Sequence, residues 1–160
     1  MSENKTNINW FPGHMAKTRR QIAEDLKMID VVVEILDARI PNSSQNPDIK
    51  QMTQNKKKVI VLNKYDLSDK EKTEKWIEYF IRNGQKVVLV DSLTGKGINE
   101  TIRQIQKIME DDMQKMADKG RIGRKIRVMI VGIPNVGKSS FINRIAKKTS
   151  AEVGNKPGVT

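Results

Sequence analysis

The 160 residues include no cysteine, which excludes disulfides and thiolate-held metals and predicts a cytoplasmic protein. No apolar run approaches the length of a bilayer span, and the first ten residues, MSENKTNINW, lack a signal-peptide core. Gly, Pro and Ser are sparse outside discrete turns, which argues against long disordered stretches, and there is no internal repeat. Aromatic residues make up only 4% of the chain. The charge, by contrast, is lopsided: the net value is +11, and residues 113–160 hold 11 Lys or Arg against Asp118 and Glu152 alone. A basic surface with few aromatics suits contact with a phosphate backbone more than base stacking, hence structured RNA or a ribosome. The plainer alternative is a solvated, solubilising face.

Within that basic segment lies Gly132-Ile133-Pro134-Asn135-Val136-Gly137-Lys138-Ser139, after an apolar run at 126–131 and before a helical pattern from Lys138 to about Lys148. Strand, glycine-rich loop and helix form the setting in which G-x-x-x-x-G-K-[ST] has chemical meaning. The glycines let backbone N–H groups curl around a phosphate, and the helix N-terminus adds partial positive charge there. Lys138 can reach the β- and γ-phosphates, and the Ser139 hydroxyl can sit on Mg²⁺. An ordinary glycine turn is the bland alternative. The pattern predicts binding of a nucleoside triphosphate.

The remainder reads as alternating strands and helices. Residues 1–9 form a tail, and Trp10-Phe11-Pro12-Gly13-His14-Met15 brings an aromatic pair and the chain's only histidine to a turn. A helix over 17–28 should bury Ile22, Ala23, Leu26 and Ile29. Val31 to Leu36 reads as a buried strand ending in Asp37-Ala38-Arg39-Ile40-Pro41, and Asn46-Pro47-Asp48 as a helix start. A second strand, 58–62, runs into Asn63-Lys64-Tyr65-Asp66. Ser68 and Glu71 have capping-box spacing for a helix whose core face is Trp76, Ile77, Phe80 and Ile81. A third strand, 86–90, exits through Asp91-Ser92-Leu93-Thr94-Gly95-Lys96-Gly97. A long helix follows, with Ile98, Ile102, Ile105, Met109, Met113 and Met116 on one face. A basic connector, 118–125, leads to the fourth strand. After it, Phe141, Ile142 and Ile145 should face inward from the phosphate-loop helix. The prediction is an α/β fold with a parallel sheet, helices on both faces, and ligands beyond the strands' C-terminal ends.

The base is chosen by Asn63-Lys64-x-Asp66. A carboxylate can accept two parallel hydrogen bonds from the N1–H and N2 amino group of guanine, whereas adenine would leave it desolvated and unpaired. Asn63 can brace the loop, and the Lys64 stem can lie across the ring. In ordinary GTPases the phosphate loop precedes the guanine motif; here the order is reversed. Together with the Trp10–Met15 and Asp37–Pro41 segments and Pro157-Gly158-Val159-Thr160, these motifs resemble the circularly permuted GTPases that act in bacterial large-subunit ribosome assembly. The likeness covers the chain from Trp10.

The resemblance implies a P-loop NTPase-like G domain over 1–160. Its parts would be an N-terminal segment and helix (10–29), a guanine-binding half (30–117), the connector (118–125) and a phosphate-loop part (126–160). It implies GTP and GDP held by Gly132, Pro134, Asn135, Val136, Gly137, Lys138, Ser139 and Ser140, and guanine read by Asn63, Lys64 and Asp66. Ser92 and the Leu93 N–H would support O6. Mg²⁺ would sit on Ser139 and Thr160, the switch threonine, and K⁺ near Asn135. His14 would orient the attacking water, with Lys138 and Thr160 completing the catalytic set. The implied partners are a large-subunit precursor and its rRNA, without membrane or DNA, for a monomer. Hydrolysis coupled to assembly leads; an RNA- or ribosome-binding factor that uses nucleotide occupancy only, with little hydrolysis, and a P-loop ATPase are the alternatives. The family's Asp-x-x-Gly loop and helical RNA-binding domain are missing from the sequence, which reads as a partial domain expected to bind nucleotide weakly and hydrolyse it poorly. Its four strands should lie in the order fourth, first, second, third, leaving the phosphate-loop strand as an apolar edge.

Overall fold

In the computed structural model, residues 15–133 and 136–154 are described. The elements follow one another as α1 (Met15–Leu26), β1 (Val31–Asp37), α2 (Pro41–Ser44), α3 (Pro47–Met52), β2 (Lys57–Asn63), a 3₁₀ turn (Tyr65–Leu67), α4 (Lys70–Arg82), β3 (Lys86–Val90), α5 (Ile98–Asp118), β4 (Val128–Val131) and α6 (Lys138–Gly154). The four strands form one sheet in the order β3-β2-β1-β4, every pair parallel, as the motif order predicts. None of the described helices is long and apolar enough to cross a membrane.

Seven consecutive residues of β1 are buried, because the strand is paired on both edges and covered on both faces. Side chains alternate between the faces. Val31, Val33 and Ile35 join Val59, Val61, Val88 and Val90 against Ile98, Ile105 and Met109 of α5 and Phe141 of α6. On the opposite face, Val32 packs with Ile22 and Leu26 of α1 and Ile49 of α3, while Leu36, Ile60 and Leu62 pack with Phe80 of α4. The methionine stripe of α5 belongs to the core: Met109 is buried and Met113 packs against the same cluster.

Three local expectations change. Ala23 is exposed, since the i, i+4, i+7 set Ile22, Leu26 and Ile29 already fills the strip facing the sheet. Ile81 is 58% exposed, because Thr73, Trp76, Ile77 and Phe80 complete the buried stripe of α4. That helix is capped by Asp69, whose carboxylate accepts from the Lys72 N–H, and not by Ser68. The Ser68 hydroxyl instead donates to the Tyr65 carbonyl at 2.7 Å, closing the 3₁₀ turn.

The connector is fastened at Asp30. Its carboxylate accepts from Arg124 Nη2 at 2.9 Å and from the Arg127 N–H at 2.8 Å, which sets the entry of β4 beside β1. Pairing in β4 therefore begins at Val128, two residues later than the apolar run suggests. Among the described residues no strand pairs with the far edge of β4; a groove of about 310 Å³ runs there, between Val128–Ile130 and Glu24, Asp25, Met28 and Ile29.

Candidate nucleotide-binding site

The loops that follow β1, β2, β3 and β4 leave the parallel sheet at the same end. The phosphate loop departs from β4 pressed against its neighbour: a Cβ on Gly132 would lie 3.0 Å from the Ile35 carbonyl and 3.1 Å from Val136 Cγ2. Val136 is buried as a plug beneath the loop. Gly137 then takes φ +87°, a left-handed conformation suited to glycine, and its carbonyl accepts the Phe141 N–H to open α6. This helix presents the N-terminal amides of Lys138, Ser139 and Ser140 to the loop. Lys138 is half-buried, and that burial alone pushes its ammonium below the ordinary lysine value. No carboxylate among the described residues forms an ion pair with it. A desolvated cation at a helix N-terminus, beside a loop bounded by Gly132 and Gly137, fits an anionic phosphate.

The second loop is locked to the first by one amide side chain. Asn63, buried at the end of β2, donates from Nδ2 to the Val136 carbonyl at 2.8 Å. Its Oδ1 accepts from the Ser92 hydroxyl at 2.8 Å and the Ser92 N–H at 3.2 Å. Three chain segments thus meet on Asn63 above the end of β1. Lys64 follows with φ +61°, the single positive value outside glycine among the described residues. The turn carries Asp66 into the exposed 3₁₀ segment, where it makes no hydrogen bond or ion pair to the described residues. The Lys64 stem lies over the phosphate loop, its Cε 3.8 Å from where a Gly137 Cβ would stand.

Asp37, read from the sequence only as an acid at a strand end, proves to be a brace. It accepts from Arg39 Nε at 2.9 Å and Nη2 at 2.7 Å, and lies 3.7 Å from Lys64 Nζ. The Arg39 guanidinium, with smaller help from Lys64, holds its carboxyl below the usual carboxylate range despite burial.

In the third loop the Leu93 N–H donates to Asp91 Oδ1 at 3.0 Å. The amide beside Asn63 is that of Ser92. Asp91 also accepts from the Thr94 hydroxyl, the main reason its carboxyl is held low. Arg144, from α6, donates through Nε to the Ser92 carbonyl at 2.9 Å and through Nη2 to the Leu93 carbonyl. Asp91 and Arg144 were not legible as site residues, because Asp91 is spent on its own loop's amides and the Thr94 hydroxyl, and Arg144 meets backbone carbonyls some fifty positions away. Asn63 thereby meets Val136, Lys64 approaches Gly137, and Ser92 and Leu93 line one cleft with Ser140, while Asp66 sits in the turn after Lys64 and Gly132, Lys138 and Ser139 belong to the loop and helix start. His14, Pro134, Asn135 and Thr160 lie outside the described residues.

Comparison with known proteins agrees with this arrangement. A family model described as 50S ribosome-binding GTPase matches residues 127–160. Ribosome biogenesis GTPase A of Bacillus pumilus is 48% identical over 153 residues, an alignment covering 96% of this chain and 54% of the relative. GNP-bound YlqF from Thermotoga maritima superposes with a TM-score of 0.57 at 32% identity, covering 80% of this chain and 47% of that one. A GDP-bound YlqF structure gives the same score and identity, over 81% and 48% of the two chains. The chain is a circularly permuted G domain resembling ribosome biogenesis GTPase A. It spans about half the length of the curated relatives it matches. The permutation is visible in the sheet: β1, β2 and β3 precede the phosphate-loop strand β4 in sequence, yet β1 lies directly beside it. A G domain tolerates this reordering because its site needs loops adjacent in space, and Asn63 and Val136 meet across 73 positions of sequence.

Proposed function

We propose that this G domain binds GTP and GDP with Mg²⁺, hydrolyses GTP, and uses the nucleotide state to govern docking on a precursor of the large ribosomal subunit. The observation that carries the reading is the position of Asn63, hydrogen-bonded at once to the phosphate loop and the Ser92 loop. Gly132, Asn135, Val136, Gly137 and Ser140 would present amides to the phosphates beside the Lys138 ammonium, Pro134 would shape the loop without donating, and Asp66 would pair with guanine N1–H and N2. Ser92 and the Leu93 N–H would support the O6 edge, the two amides of this loop being held by Asn63 Oδ1 and Asp91 Oδ1. Ser139 and Thr160 would hold Mg²⁺, Asn135 a K⁺ ion, and His14 the attacking water. Mg²⁺ held by Ser139 and Thr160 would supply positive charge that offsets the charge of the phosphates. Residues 1–160 would act as one G domain, with exposed Lys119, Arg121, Arg127, Lys147 and Lys148 facing rRNA. The named relatives' ribosomal role and the nucleotides in the YlqF structures support this reading.

Two measurements test it. Asp66→Asn is expected to weaken GDP binding by about a hundredfold, the scale of a lost charged hydrogen-bond pair, and to raise affinity for xanthosine diphosphate. Unchanged GDP preference would count against the guanine assignment. Lys138→Ala should lower affinity for GTP and GDP by about tenfold or more, whereas His14→Ala should slow turnover and leave affinity alone. Equal turnover in wild type and His14→Ala would remove the histidine from the chemistry. Co-sedimentation with large-subunit precursors, in GTP against GDP, tests the docking step; identical binding in both would exclude nucleotide control.

A further inference from the structure

On the sheet face opposite α5 and α6, helix α4 carries an aromatic corner. The rings of Trp76 and Tyr79 have centroids 5.5 Å apart and planes at 86°, so one stands as a wall beside the other. Trp76 is half-buried and braced by Phe80 at 6.1 Å, while Tyr79 is 45% exposed, more than any other aromatic side chain among the described residues. A cleft of about 460 Å³ opens over the pair, bounded by Asn42 of α2 and by Lys72 and Lys75. Sites of roughly 300–1,000 Å³ are the ones that take small ligands. With a turn of about 100° per residue, Lys72, Lys75, Tyr79 and Arg82 share a strip of α4 about 80° wide. The buried stripe borders it on one side and Glu71, Glu74 and Glu78 on the other. Lys72, Lys75 and Arg82 are exposed, and none forms an ion pair among the described residues.

We propose that this corner is a docking surface for an unpaired RNA nucleotide, the base stacked against Tyr79 and Trp76 and the flanking phosphates on Lys72 and Lys75. Three observations select that occupant. A flat group with a π-face fills an aromatic corner that a phosphate alone would leave empty. Two unpaired ammoniums on the rim complement an anion, in a chain whose net charge of +11 draws anions from a distance. Asn42 adds an exposed amide that both donates and accepts, as base edges and ribose hydroxyls require. A paired RNA helix keeps its bases within the stack and meets proteins through phosphates and 2′-hydroxyls, so it offers this corner nothing to stack. The surface differs in chemistry from the basic residues assigned to rRNA above, and shares with that assignment only the class of partner.

Fluorescence anisotropy tests this with the full chain and labelled probes: single-stranded oligoadenylate, an abasic strand of equal length, an RNA duplex, and an acidic peptide containing phenylalanine. The wild type should hold oligoadenylate more tightly than the abasic strand or the duplex. Tyr79→Ala should lose about tenfold for oligoadenylate, the scale of one base–aromatic stack, and leave the abasic strand unchanged. Tyr79→Phe should keep wild-type affinity, since the ring and not the hydroxyl does the stacking. Replacing Lys72 and Lys75 together by glutamine should weaken both single strands and flatten the slope of log affinity against log salt by about 1.4, at roughly 0.7 per phosphate. GDP affinity, which also reports folding, should not move in any variant, because none of these side chains belongs to the loops around Asn63. Equal affinity for the intact and abasic strands overturns the inference, as does an unchanged Tyr79→Ala. So does a Tyr79-dependent affinity for the acidic peptide with none for RNA, which would make the corner a protein-docking surface. A chain that binds oligoadenylate through Tyr79 yet fails to sediment with large-subunit precursors keeps this inference and loses the ribosomal reading.

Discussion

Gly137→Ala is expected to abolish measurable guanine-nucleotide binding at micromolar protein and to lower stability by about 3 kcal/mol. Two costs combine. An L-residue at φ +87° is strained by roughly 1–2 kcal/mol. The new Cβ would also stand 2.2 Å from Asn63 Nδ2, a distance no packed structure accepts. Asn63 is buried and short, so it cannot swing aside without giving up its bond to the Val136 carbonyl. An abandoned buried carbonyl costs a further ~1–3 kcal/mol. The site suffers more than the fold, because the displaced amide is the group joining the phosphate loop to both base-side loops. Equilibrium urea unfolding and titration with a fluorescent GDP analogue measure the two effects. In an Asn63→Ala background the clash disappears, and Gly137→Ala should then cost only its backbone strain. A stability loss below about 0.5 kcal/mol, with wild-type affinity, would show that this approach of loop to side chain is not what holds the site together.

How much of this was legible follows from the range over which each signal acts. The β-branched runs give β1, β2 and β3 within a residue of their observed ends, because strands inside a parallel sheet covered by helices are mostly apolar. The sheet order follows from the motifs, since loops that share one ligand must leave neighbouring strand ends. Capping is less clear: Ser68 has the expected spacing, but the 3₁₀ turn claims its hydroxyl and passes the role to Asp69. Ala23 and Ile81 look apolar yet fall at the margin of stripes already filled by larger neighbours, and nothing in local periodicity says where a stripe stops. Leu93 was assigned by position, whereas the direction of its amide depends on Asp91 two residues earlier. Asp37, Asp91 and Arg144 support the site through hydrogen bonds rather than by matching a motif, so their roles emerge only when the loops are placed together.

Glu34 and Lys58 make the last case, one in which charge enters a face that the sequence reads as hydrophobic. Their side chains are 1% and 8% exposed and their ions are 3.2 Å apart. In the β1–β2 register Val32 stands opposite Lys58 and Glu34 opposite Ile60, so the two charges meet diagonally on one face of the sheet. They lie between the cluster built on Val32 and the one built on Leu36 and Ile60, separating two apolar groups that would otherwise merge. Lys58→Met leaves the Glu34 carboxylate buried without its cation and should cost about 3–5 kcal/mol. Glu34→Leu should cost less, because the lysine stem is long enough to carry its ammonium toward water. Replacing both together should restore stability to within about 1 kcal/mol of wild type, since a matched apolar pair removes two desolvation penalties along with one attraction. Urea unfolding of the three variants measures the cycle. If the double replacement is as unstable as Lys58→Met alone, the pair contributes net stability, and the physical reason for a charged diagonal in this core is strength. If it recovers, the pair serves a different end: it fixes the register of β1 against β2, and with it the placement of Asp37 beside Asn63 at the end of the two strands.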